Sequence, residues 1–158
     1  MDRRAKDHAL QSFPYGLFVV GATEGDVGLT IVANWGTQVS FKPSLLAISI
    51  EYDSRMRAAI ETSGAFSVNL LPSKEIRVAK MFIKPRETRK SDYERQLLSG
   101  SKHGLPFLND AMACLECKVV ASHQLGDHVL FVGEVTDAVY RGGGEALTLR
   151  ETGWRYHR

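Results

Sequence analysis

The stretch Ala33-Asn-Trp-Gly-Thr-Gln-Val-Ser-Phe-Lys-Pro43 decides how this chain is read. It lies between two apolar runs, Gly28-Leu-Thr-Ile-Val-Ala33 and Leu45-Leu-Ala-Ile-Ser-Ile50, whose β-branched and aliphatic content predicts strands. A hairpin needs only about two to five turn residues. The connection here is longer and carries Asn34, Thr37, Gln38 and Ser40, all able to donate or accept hydrogen bonds. Gly36 has no Cβ and allows a ligand to approach the backbone closely. The segment reads as a polar loop suited to the edge of a planar ligand, or equally as a decorated connection that binds nothing.

Outward from this segment the pattern is mainly β. Strands are predicted at Leu17–Ala22, Leu29–Ala33 and Leu45–Ile50, then a helix from Ser54 to Thr62, capped by Ser54 and stopped at Ser63-Gly64. A further strand covers Phe66–Leu71, and a short helix runs from Lys74 to Ile83 before Pro85. From Lys84 to His103 the chain is polar and of mixed charge, which reads as an exposed excursion, with a cover over a site as the less common alternative. Two long strands, Ala111–His123 and His128–Tyr140, meet at the turn Gln124-Leu-Gly-Asp127. After Gly142-Gly-Gly144 a final strand is predicted at Ala146–Leu149. Strands without regular βαβ alternation predict a closed or nearly closed antiparallel barrel rather than a parallel sheet.

Size and composition narrow the function. The 158 residues fit one domain, 1–158. A net charge of +2 is too small to suggest nucleic acid, and no apolar run is long enough for a membrane span. The charged start, Met1-Asp-Arg-Arg-Ala-Lys, lacks the apolar stretch of a signal peptide, so a cytoplasmic protein is expected. Cys114-Leu-Glu-Cys117 matches a redox pattern but falls inside a strand, where positions 114 and 117 point to opposite faces. Leu115, Cys117 and Val119 are assigned to the core face, leaving Cys114 with Glu116 and Lys118 on the other. The five histidines lack metal-ligand spacing, and no nucleophile elbow or phosphate loop is present. The most suggestive local feature is Asp53-Ser-Arg-Met-Arg57, where a strand ends and a helix begins. A helix N-terminus with a serine and an arginine favours an anion such as phosphate.

These residues resemble the flavin reductase-like family, which has an FMN-binding split-barrel fold. The resemblance rests on 33–43, on Ser54-Arg55 through Ile60-Glu-Thr-Ser-Gly-Ala-Phe-Ser-Val-Asn-Leu-Leu71, on Leu115-Glu-Cys117, and on Gly126-Asp-His-Val-Leu-Phe-Val-Gly-Glu-Val135. A weaker match is Gly153-Trp-Arg-Tyr156. It implies a closed antiparallel split barrel of Greek-key type with two or three short flanking helices. It implies cofactor contacts from Asn34, Trp35, Gly36, Thr37, Gln38 and Ser40 toward the flavin ring, and from Ser49, Ile50 and Glu51 toward the ring or ribityl chain. Ser54 and Arg55 would take the phosphate, with Met56 where many relatives have threonine, and Lys84 or Arg89 as a further cation. His128 would approach the nicotinamide nucleotide. The implied activity is hydride transfer from NADH or NADPH to FMN, or to FAD, with no protein acid, base, nucleophile or metal required. A homodimer is implied, and the reduced flavin would supply a monooxygenase or another redox partner. The alternative is a flavin-binding electron-transfer protein without a nicotinamide site, and His128 bears on that choice.

Overall fold

The computed structural model describes residues 2–89 and 91–154, with the side chains of 86, 92, 93 and 96 left aside. Arg3–Gln11 forms an exposed helix α1, capped by the Asp2 side chain on the Arg4 amide. The chain then enters strands β1 (Phe18–Glu24), β2 (Val27–Ala33), β3 (Gly36–Phe41) and β4 (Ser44–Glu51). Helix α2 (Arg55–Ser63) follows, then β5 (Ala65–Leu70) and, after a short 3-10 turn, α3 (Ile76–Ile83). Helix α4 (Ser91–Leu97) leads into a small hairpin of β6 (Leu98–Gly100) and β7 (Pro106–Leu108). The long hairpin β8 (Ala113–Leu125) and β9 (His128–Tyr140) precedes a one-turn helix α5 (Leu149–Thr152).

Seven strands form one antiparallel sheet in the order β2-β1-β5-β8-β9-β4-β3, so β2 and β3 are its edges. The sheet is strongly coiled. Phe18, Val20 and Leu29 from one end share a core with Ile48, Ile50, Val129 and Phe131 from the other, and α2 closes that core with Met56, Ala59 and Ile60. Gly36 shows how tightly the ends approach: a Cβ placed there would stand 2.6 Å from the Phe18 ring. Its missing side chain therefore makes room for protein rather than for ligand.

A second core lies on the other side of β1, β5 and β8, where α3 and the β6–β7 hairpin, through Phe107 and Leu108, cover Val19, Leu71 and Cys114. Buried polar groups fix this cover. Ser67 donates to the Pro106 carbonyl at 2.6 Å, and the Asn69 amide bridges the Val19 and Pro106 carbonyls while accepting from the Leu108 amide at 2.8 Å. Each such bond made in a dry interior is costly to leave open, so β7 has a single seat.

The α2 expectation holds closely. Ser54 accepts from the Arg57 amide at 3.1 Å, and Gly64 ends the helix in the left-handed region at φ 68°. Three expectations do not hold, and one holds only in part. The segment 36–41 is a strand with a bulge between Gln38 and Ser40, paired to β4 through the turn at Lys42-Pro43. A bulged edge strand loses the clean alternation by which strands are recognised. Residues 146–149 give only isolated bridges, Pro72 to Ala146 and Gly16 to Thr148, before turning into α5. The excursion 84–103 is largely exposed, as expected, but it contains α4 and β6 and is anchored from inside by Arg89. Five α-helices stand among the described residues, where two or three were expected, because α1 is polar and buries no residue, α4 is short and polar, and α5 is a single turn.

Candidate functional site

Along the free edge of β2 runs a groove made of two adjoining cavities that share Val32 and Ile83. The groove exists because α3 packs alongside β2 and ends at Ile83, leaving the edge strand uncovered beyond it. One cavity, of about 500 Å³, is apolar and bounded by Leu17, Leu149 and Trp154, with Asn34 at its head. Asn34 is 9% exposed and its side-chain nitrogen Nδ2 has no hydrogen-bond partner among the described residues. A buried amide donor without a partner costs roughly 1–3 kcal/mol, and this one is shut off from solvent in the unliganded fold.

The other cavity, of about 420 Å³, is bounded by Thr30, Met56, Arg55, Lys84, Glu87 and Arg89. Arg55 opens α2 at the cavity mouth and is tied to Glu24, with Nε 3.1 Å from Oε2 and a second, closer contact from its terminal nitrogen. The hydrogen bond from Arg55 holds the Glu24 carboxyl below the ordinary range, and the same bond pushes the Arg55 guanidinium further up. Both side chains are about half exposed, at 55% and 48%, so the pair is screened by solvent. Lys84 caps α3 with its side chain exposed at the cavity wall.

Arg89 is not the spare cation that was expected. Its side chain is 3% exposed and donates to Thr30 Oγ1 at 2.6 Å and to the Thr30, Phe82 and Lys84 carbonyls at 2.9–3.0 Å. Its terminal nitrogen also lies 3.4 Å from Glu94. Its guanidinium stacks over the Phe82 ring at 5.0 Å. It pins the 84–89 wall to β2 and α3, and a single basic letter in a polar run gives no sign of that.

The other expected site residues divide between this groove and elsewhere. Asn34, Arg55, Met56 and Lys84 border it, although Met56 is 2% exposed and packs mainly into the core. Ser54 donates to the Glu51 carbonyl at 2.7 Å and accepts from Arg57, so its hydroxyl is committed to the helix cap. Ile50 faces the first core. The Ser49 amide donates to the Trp35 carbonyl at 2.9 Å, fixing the approach to β3. Thr37, Gln38 and Ser40 sit on β3, where the Gln38 amide donates to the Ser40 carbonyl at 3.0 Å, and they line neither cavity.

His128 also lines neither cavity. It is buried under the Trp35 ring, centroids 4.7 Å apart, with Nδ1 2.6 Å from Asp127. Glu51 sits opposite it in the ladder. The groove residues that were missed are Leu17, Val32, Ile83 and Trp154. Only Trp154 had a signal, the glycine-aromatic tail, of which Arg155 and Tyr156 lie outside the described residues.

The cysteines fall on opposite sides of β8 as expected, Cys117 in the first core and Cys114 in the second. The face shared by Cys114 and Glu116 is not exposed, however, because the β6–β7 hairpin covers it. Burial, helped by the Glu116 charge, pushes the Cys117 thiol up to about 12, far from a reactive thiolate. Glu116 is itself buried and held by Ser101 at 2.6 Å, Thr136 at 3.1 Å and His103. Burial works to raise its carboxyl, but these bonds and the His103 charge outweigh it and keep it below the usual range.

The β2 groove of this antiparallel sheet is thus apolar at the end bounded by Leu17, Leu149 and Trp154, and lined at the other by Arg55, Lys84 and Arg89 together with Glu87. A flavin reductase like domain model matches residues 10–156, and the chain belongs to that family. It is 32% identical over 146 residues to the ferric-chelate reductase (NAD(P)H) of Archaeoglobus fulgidus, covering 89% of this chain and 84% of that protein. Over 138 residues it is 32% identical to a probable flavin reductase of Rhizobium meliloti, covering 85% of this chain and 43% of that protein. Among solved structures it is similar to BorF, the flavin reductase component of a bacterial two-component tryptophan halogenase. That likeness has a TM-score of 0.83 at 25% identity and covers 96% of this chain and 95% of the other. Several curated relatives are much longer, and the chain spans 25% to 43% of their length. Among the described residues no helix is long and apolar enough to cross a membrane.

Proposed function

We propose that this chain is an NAD(P)H-dependent flavin reductase, a single domain over 1–158 that binds FMN, or FAD, in the β2 groove. The observation that carries the proposal is the β2 groove itself, with Asn34 lining its apolar cavity, its Nδ2 without a hydrogen-bond partner among the described residues, and Arg55 and Lys84 lining the adjoining one. From Thr30 to Asn34 the strand spans about 13 Å, enough to separate a ring end from a phosphate end. A bound flavin supplies the redox chemistry itself, accepting hydride from a nicotinamide nucleotide.

The chain's own residues bind and orient. Asn34 would hold the polar edge of the ring, and Val32, Ile83, Leu17 and Trp154 would exclude water from it. Lys84 and Arg55 offset negative charge at the outer end. No acid or base from the protein is invoked. His128 is left out of the nucleotide site, because its ring is covered by Trp35 and its Nδ1 is engaged by Asp127. That same observation keeps the electron-transfer reading as the second one.

Closure of the coiled sheet into a split barrel belongs to this proposal, supported by the shared core of its two ends. So does a homodimer, for which the support is the edge strand β3 with Val39 51% and Phe41 84% exposed. A cytoplasmic setting and a monooxygenase as consumer of reduced flavin complete it, the latter by analogy with the halogenase component. The test is oxidation of NADH and NADPH by purified protein with FMN or FAD, read from loss of reduced-nicotinamide absorbance. Turnover with at least one pair is expected. A flavin-binding protein that oxidises neither nucleotide leaves the electron-transfer reading in its place.

A further inference from the structure

The cationic end of the groove is flanked by carboxylates. Glu24, the last residue of β1, does not line the cavity but holds the guanidinium of Arg55, which does, with Nε 3.1 Å from Oε2. Glu87 borders the same cavity, and its charge also acts on Arg55. Lys84 supplies positive charge from the wall between them. A phosphate monoester seeking the two-pronged N–H face of Arg55 meets a carboxylate on that face and is repelled by its charge. The Glu24–Arg55 pair is half exposed on both sides, so solvent screens it and an arriving phosphate can open it at a modest but real cost.

We propose that Glu24 competes with the flavin's phosphate for Arg55, so that flavin is held as an exchangeable ligand that enters and leaves rather than as a fixed prosthetic group. This rests on the flavin reading of the groove and adds a control on residence time to it. An arginine with no internal carboxylate would bind the phosphate more tightly and release it more slowly. Glu24 thereby sets the balance in favour of release, which suits a reductase whose product is consumed elsewhere.

The experiment titrates FMN and riboflavin, by quenching of flavin fluorescence, into wild-type protein, Glu24→Gln and Glu24→Ala at low ionic strength. Both variants are expected to bind FMN about three- to fivefold more tightly, to release it more slowly, and to bind riboflavin as wild type does. Added salt should narrow the difference for FMN. Unchanged or weaker FMN binding in both variants overturns the competition while leaving the flavin pocket standing. Equal tightening of riboflavin also overturns it, because the effect then does not pass through phosphate. Failure of wild type to bind either flavin overturns the pocket and the competition together.

Discussion

Arg89→Met tests whether the wall of the groove is held from inside. The Arg89 side chain, 3% exposed, donates to Thr30 Oγ1 and to the carbonyls of Thr30, Phe82 and Lys84, and sits beside Glu94, whose side chain is 13% exposed. Methionine keeps much of the stem that lies over Phe82 but leaves these acceptors unpaired. A buried polar group without its partner costs about 1–3 kcal/mol, and breaking a buried charge pair from one side costs about 3–5 kcal/mol. Allowing water to reach some of the freed carbonyls, the total loss should be about 3–5 kcal/mol. That corresponds to a fall in Tm on the order of 10 °C. Urea unfolding followed by tryptophan fluorescence measures it, with Arg89→Lys expected between wild type and methionine because charge is kept and the fork lost. A loss below about 1 kcal/mol, the scale of a surface pair, would refute the reasoning and return Arg89 to the role of a free cation.

Other predictions follow from the same geometry. Asn34→Ala removes a buried donor that has no hydrogen-bond partner among the described residues, so flavin-free stability should change by no more than about 1 kcal/mol while FMN affinity falls about tenfold; unchanged affinity by titration would remove Asn34 from the site. Glu116→Gln should lower stability by about 1–3 kcal/mol at neutral pH. Because the folded carboxyl is depressed, that contribution is complete above the ordinary value of 4.5 and disappears as pH falls through the lower folded value. Denaturation curves for the two proteins should therefore converge in acid, and a gap that persists there would contradict the assignment.

The core was legible wherever a residue's neighbours in sequence were also its neighbours in function. Alternation placed Phe66 and Val68 inside, the serine and glycine around α2 marked its ends, and odd spacing put Cys114 and Cys117 on opposite sides of β8. What failed to show was anything decided by distant contacts. Gly36 looked like room for a ligand, yet Phe18 fills that room from the other end of the sheet. Arg89 looked solvated because its acceptors are backbone carbonyls, which carry no letter in the sequence. The donor-rich stretch 34–40 looked like one site, but the strand that begins at Gly36 turns Thr37, Gln38 and Ser40 away from both cavities and leaves Asn34 behind. Trp154 reaches the groove from the far end of the chain, and its tail motif hinted at the family without saying where it would land.

Flavin binding in the β2 groove is tested most directly at Ile83, which is 54% exposed and borders both cavities. Ile83→Trp fills the junction between the ring end and the phosphate end without disturbing either core. Titration of FMN by flavin fluorescence, with Tm as the control for folding, should show wild-type saturation at one flavin per chain and at least about tenfold weaker binding in the variant. Equal FMN affinity in a variant with unchanged Tm would contradict the groove as the flavin site.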